Sequence, residues 1–443
     1  MTQRDKAWEA IFEGEHIPQT LEKQGWATIT TEVIRKKYHK EPRLLAKTDA
    51  YEALPEVFRK NDAALLSLTN EEYAILRLGN KGKPLFPKLP PVIGRPTHIL
   101  IEDCARRIVT LPWEEHFTSE SQAIDAALAA HILQNFVGDE RLVLTIRGRR
   151  WFQKSLPLRF SLKGRMTEFP LKAHGFQIEV DGGYESPRHV YLLEAKNKAH
   201  KTFNLRQVMF PYLFWKDYLR GRNTTKTVRP IYMVYTAHNY FLYEFTVEKE
   251  DVLNSLHVVR AGWYVLGAPP LTLAYIREIV QTHTPANVRN VPFPQADSFL
   301  RLYDILEEVK RKGALTANEI AEHQEFTLRQ GNYYASAARW LGWLGKRGNA
   351  FVISKDGKRL LASALNERPR LILQRLAQRP VFHEALQWWA TTAKLPTKGQ
   401  IEQWIVQAIE SKQIKALSQS TIPRRASTVA GWLQILAAWV RTP

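Results

Sequence analysis

The stretch FQIEVDGGYESPRHVYLLEAKN, Phe176 to Asn197, decides how the rest of the chain is read. Its first half alternates apolar and polar residues, the pattern of a half-buried strand. Gly182 and Gly183 predict a turn, and HVYLLEAK reads as a second strand whose VYLL run suits a buried, central position. Asp181 is expected to end the first strand, and after twelve intervening residues the triplet Glu194-Ala195-Lys196 ends the second. Side chains on a strand alternate faces, so Glu194 and Lys196 point one way and Ala195 the other. A hairpin at the glycines then brings Asp181 beside them.

Two carboxylates offer oxygen ligands to a hard cation, and Mg²⁺ suits so sparse a site because it keeps waters and takes phosphate oxygens as well. Such a cation polarises a phosphate and acidifies a water. Lys196 is the residue type that stabilises developing negative charge or orients the attacking water. The alternative for Glu194 and Lys196 is an exposed ion pair of little energetic value, although charges closing a buried strand need a reason. Glu179 shares the strand face of Gln177 and Asp181, and is either a further metal ligand or part of a solvated edge. Glu120 is either another carboxylate of the site or an acid favoured by its helix dipole. Gln207 either holds a water or phosphate, or is a surface glutamine.

Outward from this stretch, SESQAIDAALAAHILQNF (119–136) reads as a helix with Ser119 as its N-cap. RLVLTI precedes the deciding stretch as a strand. FNLRQVMFPYLFWKDYL follows it as a helix that Pro211 interrupts, and IYMVY and YFLYEFTV are strands joined through Thr236 to Asn239. Helix, strands, helix, strands make an α/β core with a mixed sheet flanked by helices. An N-terminal α+β module over 1–95 closes in the proline-rich run 84–96, and the core spans 96–290.

Beyond it, 296–364 is expected to be a winged helix. A capping-box pattern at TANE opens one short helix, Arg329 to Leu344 forms a second, and Gly348 to Leu360 forms a hairpin wing with Lys355-Asp356-Gly357 at its tip. Residues 365–443 repeat the idea as a second helix-turn-helix-like helical domain.

Composition agrees with a polyanionic partner. A formal charge of +19, from 63 Lys+Arg against 44 Asp+Glu, attracts nucleic acid through steering and counterion release. The basic residues are scattered rather than gathered in a polybasic block, which argues against a membrane partner. The single cysteine, Cys104, can close no internal disulfide and is expected to be a buried structural thiol. With no apolar leader and no stretch long enough to span a bilayer, the chain is expected to be soluble and cytoplasmic.

The residues Asp181, Glu194 and Lys196 resemble the PD-(D/E)xK nuclease superfamily. More closely, EPRLLAKTD with LPEVF, SESQA, QIEVDGGYE with LLEAKN, and RQGNYYASAARWLG resemble type II restriction endonucleases with C-terminal winged-helix regions. The resemblance implies a restriction-endonuclease-like core. It also implies Mg²⁺-dependent hydrolysis of double-stranded DNA at a short specific sequence, with Mn²⁺ as a substitute metal and a cognate DNA methyltransferase protecting the host. Asp181 and Glu194 become metal ligands, Lys196 the catalytic lysine, and Glu120 and Gln207 auxiliary residues. Val180 stands where the superfamily name has proline, a structural position. Symmetric cleavage of two strands is most easily done by a homodimer.

For holding DNA, Arg329, Gln330, Asn332, Tyr333 and Ser336 lie at the start of the expected recognition helix, where base edges are within reach. Lys355, Lys358 and Arg359 on the wing are expected to meet phosphates, while Arg424 and Arg425 either clamp phosphates or form a solvated face. The alternative is a winged helix that only packs against protein. Rival functions are a modification-dependent or repair nuclease with the same triad, and a winged-helix regulator with an inactive nuclease fold.

Overall fold

A computed structural model describes residues 3–92, 94–113, 117–139, 141–267, 270–324, 327–364 and 367–441; Ile93 of the proline-rich run lies outside them. The chain forms two compact units, one of residues 1–93, 119–235 and 241–262, the other of 94–118, 236–240 and 263–443. No helix among the described residues is long and apolar enough to cross a membrane.

In chain order the strands are β1 (Trp26–Thr30), β2 (Ala63–Ser67), β3 (Glu72–Arg77), β4 (Thr97–Leu100, in the second unit), β5 (Val143–Phe152), β6 (Leu156–Leu162) and β7 (Arg165–Ala173). They continue with β8 (Phe176–Glu185), β9 (His189–Lys196), β10 (Thr227–Thr236), β11 (Asn239–Val247) and β12 (Leu256–Gly267). The main sheet of the first unit runs β12-β11-β10-β9-β8-β5. β8 is antiparallel to both β5 and β9, whereas β10 is parallel to β9 and is reached through the helix Arg206–Arg220. A parallel neighbour requires such a crossover, and the result is a mixed sheet flanked by helices. In the second unit β4 pairs in parallel with residues 264–267 of β12.

One apolar core joins the N-terminal module to this sheet. Trp8, Phe12 and Phe58 stack edge to face, and they share a cluster with Phe176, Val180, Leu192, Met209 and Phe210. The β1-β3-β2 sheet therefore packs into the same unit as the central strands.

Two glycine-marked turns do not form where their sequence predicts them. Gly182 and Gly183 are not the hairpin turn: β8 continues through both to Glu185, and the chain turns at residues 186–188. Asp181 accordingly sits inside β8 rather than at its end. The reason is packing, because a Cβ on Gly183 would lie 2.4 Å from Cβ of Ile146 on the neighbouring strand, so this glycine is space for β5. The actual type I′ hairpin geometry, positive φ at two successive residues, occurs at Ala237-His238 between β10 and β11.

In the second unit, the helix Phe299–Lys312 leads through a strand, Ala314–Thr316, to the helices Ala317–His323 and Leu328–Trp340, then to a hairpin of Leu344–Arg347 and Ala350–Ile353. Thr316 with Glu319 and Thr327 with Gln330 form reciprocal capping boxes. The hairpin turns at Gly348-Asn349, so Lys355-Asp356-Gly357 is not its tip. These residues start a helix, Lys355–Ala362, capped by Ser354 Oγ accepting from Gly357 N at 2.9 Å. Gly357 is again space, since a Cβ there would meet the Trp343 carbonyl at 2.3 Å. Four further helices fill residues 368–437, with Trp389 and Trp432 buried among them. Cys104 is buried, and burial pushes its thiol pKa up.

Candidate active site

The antiparallel register pairs Gly182 with Leu193, and one step further along it position 181 faces position 194. At that step the Asp181 side chain takes over from the ladder: its Oδ2 accepts the Ala195 N–H at 2.9 Å. Lys196, at the end of β9, turns back so that Nζ donates to Glu194 Oε1 at 2.6 Å and to the Ala195 carbonyl at 2.9 Å. Glu120 Oε1 stands 3.6 Å from the same ammonium. Ser119, not Glu120, caps the helix, accepting from Gln122 N at 3.1 Å, which leaves Glu120 in the first turn facing the strands. Asp181, Glu194, Lys196 and Glu120 are thus brought together.

The bland reading of Glu194 and Lys196 as a solvated ion pair fails on exposure, since their side chains are 13% and 11% exposed. Burial is the first cause in every titration here. It pushes Glu194 up to about 8, helped by Asp181 and Glu120 and opposed by Lys196. It raises Asp181 and Glu120 as well, against the pull of Lys196. For Lys196, burial alone lowers the pKa, but Glu194 and Glu120 outweigh it and hold the ammonium charged. Three carboxylates around one ammonium leave the cluster short of positive charge, and in a buried place that shortfall is met by a proton or by a cation.

Two expected auxiliaries divide. Gln207 lines the same small cavity as Glu194 and Glu179, with Nε2 donating to Asp49 Oδ1 at 3.3 Å and Oε1 buried without a hydrogen bond. Glu179 is on the expected face, but its side chain is 55% exposed and pairs with Arg149 at 3.3 Å. It acts on Asp181 only as a neighbouring charge.

Three residues of the site escape the sequence reading. Asp49 comes from the N-terminal module, bonded to Gln207 and 3.4 Å from Lys47, and its charge is felt by Asp181, Glu120 and Lys196. Tyr232 stands opposite Glu194 in the parallel register, wholly buried, with its hydroxyl lacking a hydrogen bond. Arg206 opens the crossover helix; burial lowers its pKa while Asp49 and Glu194 oppose the shift. The only signal for Asp49 was its place in EPRLLAKTD. Tyr232 is hidden in the apolar run IYMVY.

The donor set fits a hard cation: all oxygen, buried and in anionic excess. Among the described residues no group of three or more His, Cys, Asp or Glu closes around a metal position, so a cation here is completed by waters or phosphate oxygens.

The residues expected to hold DNA lie in the second unit. Arg329 stacks over Tyr333, its guanidinium carbon 5.3 Å from the ring centroid, and donates to the hydroxyl. Arg425 feels Tyr333 and Arg424, and its Nε and Nη1 are buried without hydrogen bonds. Burial lowers its pKa. The start of the Leu328–Trp340 helix and the Ile422–Ala437 helix therefore meet in one basic cluster. Gln330 does not join it freely, because Oε1 accepts from Thr327 N and Oγ1, both at 3.1 Å. Asn332 is exposed and donates back to the Leu328 carbonyl at 3.3 Å, and Ser336 is half-buried on the same helix. Lys355, Lys358 and Arg359 are exposed on the helix after the hairpin, not on a wing.

Three families match parts of the chain, each described as a domain of unknown function: DUF6996 over residues 5–75, DUF6997 over 103–265 and DUF7226 over 301–441. No curated protein and no solved structure matches. The first match contains Asp49, the second Glu120, Asp181, Glu194, Lys196 and Gln207, and the third the basic cluster.

Proposed function

We propose that the chain is a Mg²⁺-dependent DNA endonuclease of the PD-(D/E)xK kind, acting as a type II restriction enzyme. The observation that carries this reading is the convergence of the buried Glu194–Lys196 pair with Asp181, bonded to the Ala195 N–H between them, and with the half-exposed Glu120. An anionic, cation-seeking pocket inside a chain of net charge +19 is what a phosphodiester substrate calls for. The basic surface would collect the polyanion, and the carboxylates would hold a cation that offsets the phosphate's charge.

In this reading Asp181 and Glu194 hold Mg²⁺, Glu120 adds negative charge beside them, and the metal supplies Lewis acidity and an acidified water. Lys196 keeps its proton and neutralises charge that develops on the scissile phosphate. Gln207, fixed by Asp49, offers an acceptor oxygen for a proton of the attacking water. The succession helix, strand, helix, helix, hairpin over 299–353 supports a winged-helix reading of the second unit. There Arg329, Tyr333, Arg424 and Arg425 meet DNA, with Asn332 as a base reader. A homodimer, Mn²⁺ as substitute metal and a protecting methyltransferase belong to the same proposal.

Digestion of unmethylated phage DNA with Mg²⁺, followed by sequencing of fragment ends, tests it. Discrete ends are expected from the wild type, and none from Lys196→Ala or Asp181→Ala, both of which keep specific DNA binding. Full cleavage by either variant removes the mechanism. Preference for methylated DNA replaces restriction with a modification-dependent function.

A further inference from the structure

At the other end of β9 from Glu194 and Lys196 lies a second polar place, a cleft of about 810 Å³ that includes Arg188, His189, Arg229, Arg260, Glu244 and Asp139. β9 begins at His189 and ends at Lys196, so seven residue steps of strand, roughly 23 Å, separate the two places. The nuclease reading makes no use of this cleft.

Its floor is a carboxylate. Glu244, on β11, is 97% buried, being 3% exposed. It holds two guanidiniums: Arg260 Nη2 at 3.0 Å from Oε2, and Arg229 Nη1 at 3.7 Å from Oε1. Arg260 is fixed a second time by donating from Nη1 to the Phe136 carbonyl at 2.5 Å. Two arginines, on the strands β10 and β12 that flank β11, are thereby held at the cleft, Arg260 by two contacts and Arg229 by one, so part of their side-chain freedom is given up before anything binds. Arg188 is exposed beside them and has no ion-pair partner among the described residues. Asp139, the other acid of the cleft, lies 3.8 Å from Arg141. Three guanidiniums against Glu244 and a shared Asp139 leave positive charge in excess.

His189 adds a directional nitrogen, a donor when the Thr227 hydroxyl donates to Nδ1. Its Nδ1 is bonded to Thr227 Oγ1 at 2.8 Å, which leaves Nε2 for a ligand. Glu244 Oε2 is buried against Arg260, so this carboxylate holds the guanidinium rather than the ligand. Forked guanidiniums together with an imidazole match the non-bridging oxygens of a phosphate group.

We propose that this cleft binds a phosphate group. Two sources have that chemistry, a free phosphate monoester and the backbone of bound DNA. Arg188, Arg229 and Arg260 are the ligands, and Glu244 is the residue that positions two of them.

The test uses the full chain and two variants. Arg188→Gln removes the unpaired cation without touching Glu244, and Arg229→Lys keeps charge but loses the fork. Melting is followed against inorganic phosphate and against a nucleoside monophosphate, with KCl holding ionic strength constant. Duplex binding is followed against salt concentration. If a free monoester is the source, the wild type shows saturable stabilisation and Arg188→Gln raises the apparent dissociation constant about tenfold, with duplex binding unchanged. If DNA is the source, the salt dependence of duplex binding by Arg188→Gln falls by about one unit of slope. Phosphate that stabilises no more than matched KCl, together with unchanged salt slopes in both variants, overturns the proposal.

Discussion

Replacing Glu194 by glutamine removes one of the three carboxyls whose raised pKa makes the metal-free site sensitive to pH. The carboxyl has an ordinary pKa near 4.5 in the unfolded chain and is pushed up to about 8 in the folded one. A folded-state pKa above the unfolded value means that the native chain holds the proton more tightly. The stabilisation is therefore complete below about pH 4.5 and is lost as pH rises to about 8. Holding the proton up to about pH 8 rather than 4.5 sets an upper bound on the order of 5 kcal/mol. With the side chain only 13% exposed, solvent screening takes little from that ceiling. Glu194→Gln keeps the size and hydrogen-bonding shape of the neutral acid and cannot ionise. Urea midpoints measured in EDTA between pH 5 and pH 8.5 are expected to fall more steeply for the wild type than for the variant, the difference opening with rising pH. Adding Mg²⁺ at pH 8.5 is expected to restore the wild type and leave Glu194→Gln unmoved. Parallel pH curves for the two proteins would refute the account of a cluster short of positive charge.

Asp49→Asn is expected to cut Mg²⁺-dependent cleavage by about 10- to 100-fold, because the new amide no longer fixes the orientation of Gln207. Gln207→Glu, tested beside it by single-turnover cleavage, should not restore the rate. Gly183→Ala brings a methyl against Ile146 and is expected to destabilise the first unit by about 1–3 kcal/mol in urea unfolding. An unchanged midpoint would contradict the assigned β5–β8 register. Gly331→Ala meets the Ala317 carbonyl at 2.4 Å, so it should weaken duplex binding through a displaced helix. Arg329→Ala and Arg425→Gln are each expected to lower the slope of log affinity against log salt by about one, and equal slopes would take phosphate contact away from this cluster.

Much of the site was legible because period-2 alternation carries its own geometry. Glu194 and Lys196 had to share a face of β9, and Ser119 had to cap the helix that presents Glu120. What misled was glycine. Gly183 and Gly357 carry the usual mark of a turn, yet each is needed because a neighbour, Ile146 or the Trp343 carbonyl, occupies the volume of a Cβ. Close approach is a property of the partner, so no reading of one strand detects it. Asp49 was illegible for a related reason: its partner Gln207 is 158 positions away, and the backbone bond from Asn204 N to the Asp49 carbonyl, 2.8 Å, exists only once the N-terminal module has packed.

That long-range tie bears on why the N-terminal module exists at all. The sheet alone supplies Asp181, Glu194 and Lys196, and the helix before it supplies Glu120. It does not fix the amide of Gln207, whose Pro211 neighbour leaves a gap in the helical hydrogen-bond ladder four residues on. Asp49 takes the amide nitrogen, and Asn204, bonded to both the Thr48 and the Asp49 carbonyls, anchors the segment just ahead of the helix. An amide held by its nitrogen must present its oxygen, and that oxygen is the one found buried and unbonded beside Glu194. The module thus orients a group of the site it does not itself contain, and a chain lacking residues 1–93 is expected to lose cleavage even where its sheet still folds.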